Sequence, residues 1–205
     1  MYAEHSVPIK EIKKLSVESI KTELAELEKA ISQGKVTNID LSTMVNDNIA
    51  DLNYDDGFMS IKSERIYEGG SMSTTEQFGL PLKIELRAKT DKTDIGISYG
   101  NIIEVCFHHF RLRNKLWIRD IMNNNIQTYK KRGIVTPNEF ISIELILGRE
   151  MLIVKKNNEI LHFGSDYEYI RKLKENPNFN LPSAISVGTC GGSTVTVESL
   201  QVTEI

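Results

Sequence analysis

The feature that most constrains the fold is the alternation of apolar and polar residues after Gly34. Runs rich in β-branched and aromatic residues follow a period of two, and turn residues separate them at short intervals. Such close spacing favours antiparallel pairing, because parallel neighbours need long crossover connections. About a dozen strands cannot stay in one open twisted sheet without curling, so the sequence predicts two packed antiparallel sheets. The predicted strands are 37–42, 58–66, 81–89, 94–99, 102–108, 115–120, 126–130, 139–147, 150–155, 158–163, 184–190 and 193–204.

Two segments have a helical period instead. The apolar residues of the first are three and four positions apart, which predicts a helix over 16–33 with Ser16 as N-cap and Gly34 as a left-handed stop. They are Val17, Ile20, Leu24, Leu27 and Ile31. The second predicted helix is 165–174, with Ser165 as its cap. A helix as short as 16–33 is marginal alone in water, so its apolar stripe docks either on the chain's own sheets or on a second copy, as a homodimer.

Length and composition are typical of one globular domain with a small extension. The chain has 205 residues, of which 40% are hydrophobic and 26% charged, enough to bury a sizeable core. We divide it into an N-terminal helical extension, 1–36, and a β-sandwich domain, 37–205. The formal net charge of -3 gives no reason to expect a membrane or a general nucleic-acid partner. Charged residues near the start interrupt any apolar core of a secretory signal, and we expect a cytoplasmic protein.

The order and pattern of the strands resemble the concanavalin A-like lectin and glucanase jelly roll. The segments that carry the resemblance are 82–88, 95–99, 140–145, the hairpin 151–161 and the closing strand 193–202. With the two helical segments, this predicts a mainly β, two-sheet antiparallel jelly-roll sandwich with an N-terminal helix and one short helical insertion. The resemblance implies carbohydrate recognition or glycoside cleavage on the concave face of the sandwich.

The catalytic version of that fold has paired acids on one strand, in a Glu-x-Asp-x-Glu arrangement. Alternate strand residues point to the same face, which holds two carboxyls at the roughly 5 Å that a retaining mechanism requires. No such triplet occurs here: Glu85 shares a face with Arg87, and Glu144 shares one with Ser142. We therefore expect no catalytic residues, and a non-catalytic domain that binds a glycan or another polar ligand as a sensory or accessory module.

The candidate ligand-binding residues are Trp117, Arg119 and Lys115, which alternation places on one face of the strand 115–120. Charged neighbours on that face predict a partly exposed indole. Such an indole stacks on the apolar face of a sugar ring, while the cationic groups donate hydrogen bonds to hydroxyls or a carboxylate. The alternative is a core tryptophan whose flanking cations reach back to solvent.

Metal and cofactor chemistry is not indicated. Cys106 and Cys190 are too few for a disulfide framework, and the neighbours His108 and His109 face opposite sides of a strand. We expect no metal and no cofactor. Within 111–132, seven cations and one anion leave a local charge of +6. One interpretation is that this basic band binds an acidic polysaccharide, phosphate or, less expected, nucleic acid. The alternative is that its cations lie on solvated strand faces and are balanced by acidic neighbours in space.

Two other functions stay open beside glycan binding. A protein-interaction module would use helix 16–33 and would leave its Leu24 and Leu27 face uncovered. A glycoside hydrolase would hold an unrecognised acidic pair about 5 Å apart in a groove. A glycan-binding domain would present an exposed groove containing Trp117.

Overall fold

A computed structural model describes residues 17–46, 50–63, 69–92, 94–107, 114–179, 181–189 and 192–205. Two helices, α1 (Val17–Gln33) and α2 (Glu168–Glu175), accompany the strands. The strands are β1 (Lys35–Asn38), β2 (Val45–Asn46), β3 (Ala50–Asp55), β4 (Phe58–Ser63), β5 (Gly70–Ser73), β6 (Leu82–Thr90), β7 (Ile95–Tyr99), β8 (Ile103–Phe107), β9 (Lys115–Asp120), β10 (Asn125–Lys130), β11 (Ile141–Leu147), β12 (Leu152–Lys156), β13 (Glu159–Gly164), β14 (Ile185–Thr189) and β15 (Thr194–Glu204).

The strands form two antiparallel sheets. An eight-stranded sheet has the order β13-β12-β11-β6-β15-β4-β3, with β1 also paired to β15, and a seven-stranded sheet has the order β10-β9-β8-β7-β14-β5-β2. Neighbours that are distant in the chain, such as β6 beside β15 and β7 beside β14, are what a jelly roll requires. The predicted fold class, a mainly β sandwich with an N-terminal helix and one short helical insertion, is confirmed.

The core lies between the sheets because alternation gives every central strand one apolar face. In β6, Leu82, Ile84, Leu86 and Ala88 are buried while Arg87 is exposed. In β7, Ile95, Ile97 and Tyr99 face the same core from the other sheet. The outward faces, turned away from the core, are therefore where polar residues collect, and one of them holds the candidate site.

The apolar stripe of α1 packs on the outward face of the eight-stranded sheet. Leu24, Leu27 and Ile31 contact a cluster of buried residues made of Ile146, Met151 and Ile153. Ile146 on β11 and Ile153 on β12 are apolar at outward positions, where alternation predicts polar residues. They are apolar because α1 covers this part of the sheet. The side chains of Val17 and Ile20 lie outside the described residues. The structure thus realises docking on the chain's own sheets, and the homodimer stays a prediction.

Helix α2 lies on the side of the sandwich where the edge strands β10 and β13 meet, with the rings of Tyr129 and His162 5.0 Å apart. Its Tyr169, Ile170 and Leu173 are buried. The helix begins at Glu168, later than the predicted start with a Ser165 cap; Tyr167 is the N-cap and makes no side-chain capping bond. Instead, the Glu168 N–H donates to Oδ2 of Asp120 at 2.7 Å, so a distant strand supplies the acceptor that a local cap supplies elsewhere.

Gly34 ends α1 for a reason other than the predicted left-handed stop. It has no positive φ; a Cβ there would lie 2.4 Å from the Glu204 carbonyl oxygen. The chain needs glycine because β1 pairs with β15 immediately afterwards, Lys35 opposite Glu204. Ser16, the predicted N-cap, lies outside the described residues.

Other differences concern short or polar elements. The predicted strand 37–42 is wrong beyond Asn38, because Asp40 accepts a hydrogen bond from the Ser42 N–H and caps a 3₁₀ turn, Leu41–Thr43. Strands β2, β3 and β5 were not predicted, since they are short or rich in polar and small residues. Asn157 and Asn158 form the turn between β12 and β13, and both residues have positive φ.

The docked helix gives a first testable expectation. Replacing Leu24 and Leu27 together by Glu sets two carboxylates against Ile146 and Ile153, and we expect the free energy of unfolding to fall by about 2 kcal/mol or more. Urea unfolding measures the loss. Ala25→Glu with Gln33→Glu, on exposed positions of α1, is the control and keeps wild-type stability. A wild-type dimer in sedimentation that the Leu24→Glu, Leu27→Glu chain converts to a stable monomer would contradict docking on the chain's own sheets.

Candidate carbohydrate-binding groove

A groove of about 310 Å³ runs across the outward face of the seven-stranded sheet. Strands β5, β14, β7 and β8 form it, and we call it the sheet groove. Its lining is Gly69, Gly70, Ser71, Asp94, Gly96, Ile97, Ser98, Glu104, Cys106, Ser186, Gly188 and Thr189. Most of these residues are small or polar, so the groove has a backbone-rich floor open to hydrophilic ligands.

The groove is deep because small residues meet across neighbouring strands. Gly96 lies opposite Gly188, and Ser98 opposite Ser186, while Gly188 also lies opposite Ser71. A Cβ on Gly188 would stand 2.9 Å from the Gly70 carbonyl oxygen, so that position tolerates no larger residue without a shift. Three strands therefore contribute a continuous low floor, and larger side chains on β8 form a wall.

Hydroxyl groups pair at both ends of this floor. Ser73 and Ser186 share a hydrogen bond of 2.6 Å between their side-chain oxygens. Thr189 and Ser193 share another of 2.6 Å, and the Thr189 hydroxyl is also 3.4 Å from the Asp94 carbonyl oxygen. Of these four residues, Ser186 and Thr189 line the groove, and the Thr189–Ser193 pair is buried. Hydroxyls both donate and accept, so Ser186 can meet a ligand hydroxyl in either direction.

Two carboxyls line the groove, and each is held differently. Burial raises the pKa of Glu104, an effect that Arg119 partly opposes; Nη1 of Arg119 lies 4.0 Å from Oε2 of Glu104. Asp94 is 1% exposed and has a φ of 51°. Burial and the Arg119 charge thus act on the pKa of Glu104 in opposite directions, with burial the larger effect.

The two lining carboxyls come from different elements. Glu104 is on β8, directly opposite Ser98, whereas Asp94 immediately precedes β7. The catalytic version of the fold instead has its paired acids on one strand, and no strand contributes two carboxyls to the described groove lining.

The sequence-predicted site residues lie beside the groove, on the same outward face. Trp117 lies opposite Cys106 and Arg119 opposite Glu104, so both adjoin the β8 wall, and Lys115 lies two residues further along β9. None of the three is in the groove lining. The expected partial exposure of the indole is not seen, because Trp117 is 9% exposed. Their role in ligand binding stays a prediction.

Sequence reasoning missed the groove itself. Its signal is a set of Gly and Ser residues at alternate positions of 95–99 and 185–189, but their significance depends on β7 and β14 being neighbours, which only the three-dimensional register reveals. The structure also pairs His162, isolated in sequence, with a buried tyrosine: the Tyr167 hydroxyl lies 2.7 Å from Nε2 of His162. This pair lies in the core near α2, away from the groove lining.

Two further observations concern metal ligands and membrane-spanning helices. Among the residues that the structure describes, no three His, Cys, Asp or Glu side chains gather where they could hold a metal ion. His108, His109 and Cys190 fall outside those residues, whereas Cys106 is buried on β8. No helix in the described ranges is both long and apolar enough to cross a membrane.

Solved structures with a similar fold include carbohydrate-related domains. The Emp47p carbohydrate recognition domain has a TM-score of 0.57 at 10% identity, covering 82% of this chain and 94% of that chain. The VIP36 exoplasmic/lumenal domain, in a form bound to Ca²⁺ and Man3GlcNAc, has a TM-score of 0.54 at 7% identity, covering 80% and 84%. A native glycosidic hydrolase has a TM-score of 0.58 at 13% identity, covering 82% and 94%.

No family model and no curated protein matches the sequence. At such low identities the likeness to solved structures concerns the fold alone. It agrees with the strand order and the two packed sheets described above. The chain therefore has the concanavalin A-like jelly-roll fold.

Proposed function

We propose that the protein is a non-catalytic carbohydrate-binding domain that holds a glycan in the sheet groove. The observation that carries this proposal is the floor of Gly and Ser residues on three adjacent strands, which leaves room for a sugar and surrounds it with hydroxyl and backbone groups. Sugars are bound by many hydrogen bonds to hydroxyls, and this floor offers partners of both polarities.

The similar structures support the same ligand class. One is named as a carbohydrate recognition domain, a second is bound to Man3GlcNAc, and the Crh5 transglycosylase is in complex with NAG. We infer binding without cleavage because the sequence has no Glu-x-Asp-x-Glu triplet, the arrangement by which the catalytic version of the fold holds its paired acids on one strand.

Filling the groove tests the proposal. Ser98 lies on the floor between Ser186 and Glu104, and Ser98→Trp would occupy much of the 310 Å³. We expect Ser98→Trp to abolish binding to every glycan that the wild-type chain binds on a glycan array. The matched control is Ser142→Trp, a serine on the outward face of the other sheet, opposite Arg87.

The control chain should bind as the wild type does, and both variants should keep the wild-type melting temperature within a few degrees, because both new indoles point away from the core. Unchanged glycan binding by a folded Ser98→Trp chain would contradict the groove assignment. A wild-type chain that binds no glycan on the array would contradict the function itself.

A glycoside hydrolase is the second candidate, and one observation favours it: Glu104 lines the groove and burial raises its pKa, the direction that a general acid requires. Two of the similar structures are a glycosidic hydrolase and a transglycosylase. The test is release of reducing sugar from each glycan found on the array. Turnover that Glu104→Gln lowers at least a hundredfold, with binding retained, would establish this candidate over the non-catalytic one.

A further inference from the structure

The outward face beside the sheet groove has an unbalanced positive charge. On β9 and β10 it presents Lys115, Arg119 and Lys130, which we call the cationic platform. Against these three cations β8 presents one carboxyl, Glu104, which lies opposite Arg119. This local excess is opposite in sign to the net charge of -3 of the whole chain.

The two lysines face each other directly across the strand pair. Lys115 and Lys130 are partners in the register of β9 and β10, and side chains in such positions have Cβ atoms about 5 Å apart. Like charges at that distance destabilise a sheet. Neither lysine forms an ion pair with any residue that the structure describes. An anion between the two ammonium groups would relieve their repulsion.

Arg119 is also incompletely matched. Its Nη2 donates to Oδ1 of Asn124 at 3.2 Å, and its Nη1 is 4.0 Å from Glu104, longer than a hydrogen bond. Its Nε is buried and has no partner among the described groups. The guanidinium thus retains donor capacity, and its side chain is 39% exposed. Carboxylates and sulfates accept from guanidinium groups in short, charge-assisted bonds.

The platform is continuous with the groove. Glu104 and Cys106 line the groove, and their direct neighbours on β9 are Arg119 and Trp117. A ligand that lies across the strands therefore passes from the hydroxyl-rich floor on β7, over the β8 wall, to Arg119 on β9 in about two strand spacings of roughly 4.8 Å each. The Lys115–Lys130 pair lies four residues further along β9, about 13 Å from Arg119, so a ligand of several sugar rings is needed to reach all three cations.

We propose that the ligand of the groove is an acidic oligosaccharide, whose neutral rings occupy the floor and whose carboxylate or sulfate groups bind the cationic platform. This inference rests on the proposed function, because it assumes that a glycan occupies the groove. The ligand is acidic because Lys115, Arg119 and Lys130 require a negatively charged partner. Uronic acids and sulfated sugars share this chemistry, and the experiment separates them.

The experiment measures binding of the full chain to three probes by calorimetry: a galacturonic acid hexamer, a heparin-derived hexasaccharide and neutral cellohexaose. We expect at least one acidic hexamer to bind about tenfold or more tightly than cellohexaose, with an affinity that falls as salt rises. The preferred acidic probe tells a carboxylate ligand from a sulfate ligand. Equal affinity for acidic and neutral probes would overturn the inference.

Lys115→Gln with Lys130→Gln removes two charges of the platform and keeps the strand register. We expect this chain to lose about tenfold in affinity for the acidic probe and most of its salt dependence. Lys35→Gln with Lys62→Gln, two exposed lysines of the other sheet, makes the same charge change and should bind as the wild type does. An identical loss in both double variants would overturn the inference, because only net charge would then matter.

Two outcomes separate this inference from the proposed function. If neutral glycans bind, Ser98→Trp abolishes that binding and the Lys115→Gln, Lys130→Gln chain is unaffected, the acidic ligand is wrong while the groove stands. If Ser98→Trp leaves acidic binding intact and the lysine variant loses it, the platform binds anions without the groove and the glycan function fails. A twelve-nucleotide single-stranded DNA that binds more tightly than either acidic hexamer would also overturn the glycan inference.

Discussion

Trp117→Ala is expected to lower the free energy of unfolding by about 3 kcal/mol, the cost of removing a buried indole from a packed site. Trp117 is 9% exposed, in the middle of β9, with Cys106 and Thr128 as its strand partners. An exposed indole on a sheet surface would cost well under 1 kcal/mol. Urea unfolding of the two chains distinguishes these values.

The control for this prediction is Trp117→Phe, which keeps an aromatic ring at the position and should recover most of the loss. Trp117 is the one tryptophan in the sequence, so its fluorescence reports this site without interference. We expect the wild-type emission to be blue-shifted and resistant to aqueous quenchers. A red-shifted, readily quenched emission, or an alanine variant as stable as the wild type, would contradict the burial of Trp117.

The measurement also bears on the ligand. Trp117 lies opposite Cys106, and Arg119 opposite Glu104, so the indole lies directly behind the β8 wall of the groove. If the alanine variant stays folded but binds glycan less well, the loss has two explanations. Either the ligand loses a stacking surface, or the missing indole lets Cys106 and Glu104 shift. The phenylalanine variant, which keeps the wall in place, is therefore the better test of stacking.

Alternation predicted the sheet faces well because it is a local property. The three site residues of β9 lie on one face as predicted, and Leu116 and Ile118 lie in the core. Predictions from the local pattern failed where an element distant in the sequence covers or caps a residue. Ile146 is apolar on an outward position because α1 covers it, and α2 starts at Glu168 because Asp120 of β9 caps it.

The groove depends even more on distant neighbours. Ser98 and Ser186 are small outward residues on two strands 88 positions apart in the sequence, and they form a floor only because β7 and β14 pair in register. The cationic platform could be predicted in part from the sequence. Its lysines come from one hairpin, so the predicted basic band was visible in the sequence, while its contact with Glu104 of β8 and the groove needed the structure.

The second large effect that we expect is a loss of folding stability in acid, which originates at His162. The side chain is 5% exposed and lies against Tyr129 and Tyr167, with ring centroids 5.0 and 5.9 Å away. Burial, together with the positive charge of Arg132, lowers the pKa of His162 to about 4. The folded protein therefore holds a neutral imidazole whose Nε2 can accept from the Tyr167 hydroxyl.

This depressed pKa makes the folded state sensitive to acid. In the unfolded chain His162 binds a proton near pH 6.5, whereas the folded chain binds it only near pH 4, so protonation favours unfolding between those values. The stabilisation is complete above pH 6.5 and is lost as pH falls to about 4. A difference of that size corresponds to about 3 kcal/mol, of which about 2 kcal/mol is lost by pH 5.

His162→Gln removes the titrating group and keeps a hydrogen-bond acceptor for Tyr167, so it should unfold more easily than the wild type at pH 7 yet lose about 2 kcal/mol less between pH 7 and pH 5. Urea unfolding of both chains at the two pH values measures this difference, and the carboxylates common to both chains cancel in it. Tyr167→Phe is the control: it removes the hydroxyl at Nε2 but leaves the imidazole buried, so it should retain the acid-sensitive loss. Equal losses for the wild type and His162→Gln would mean that another group titrates in this range and that the folded chain does not keep His162 neutral.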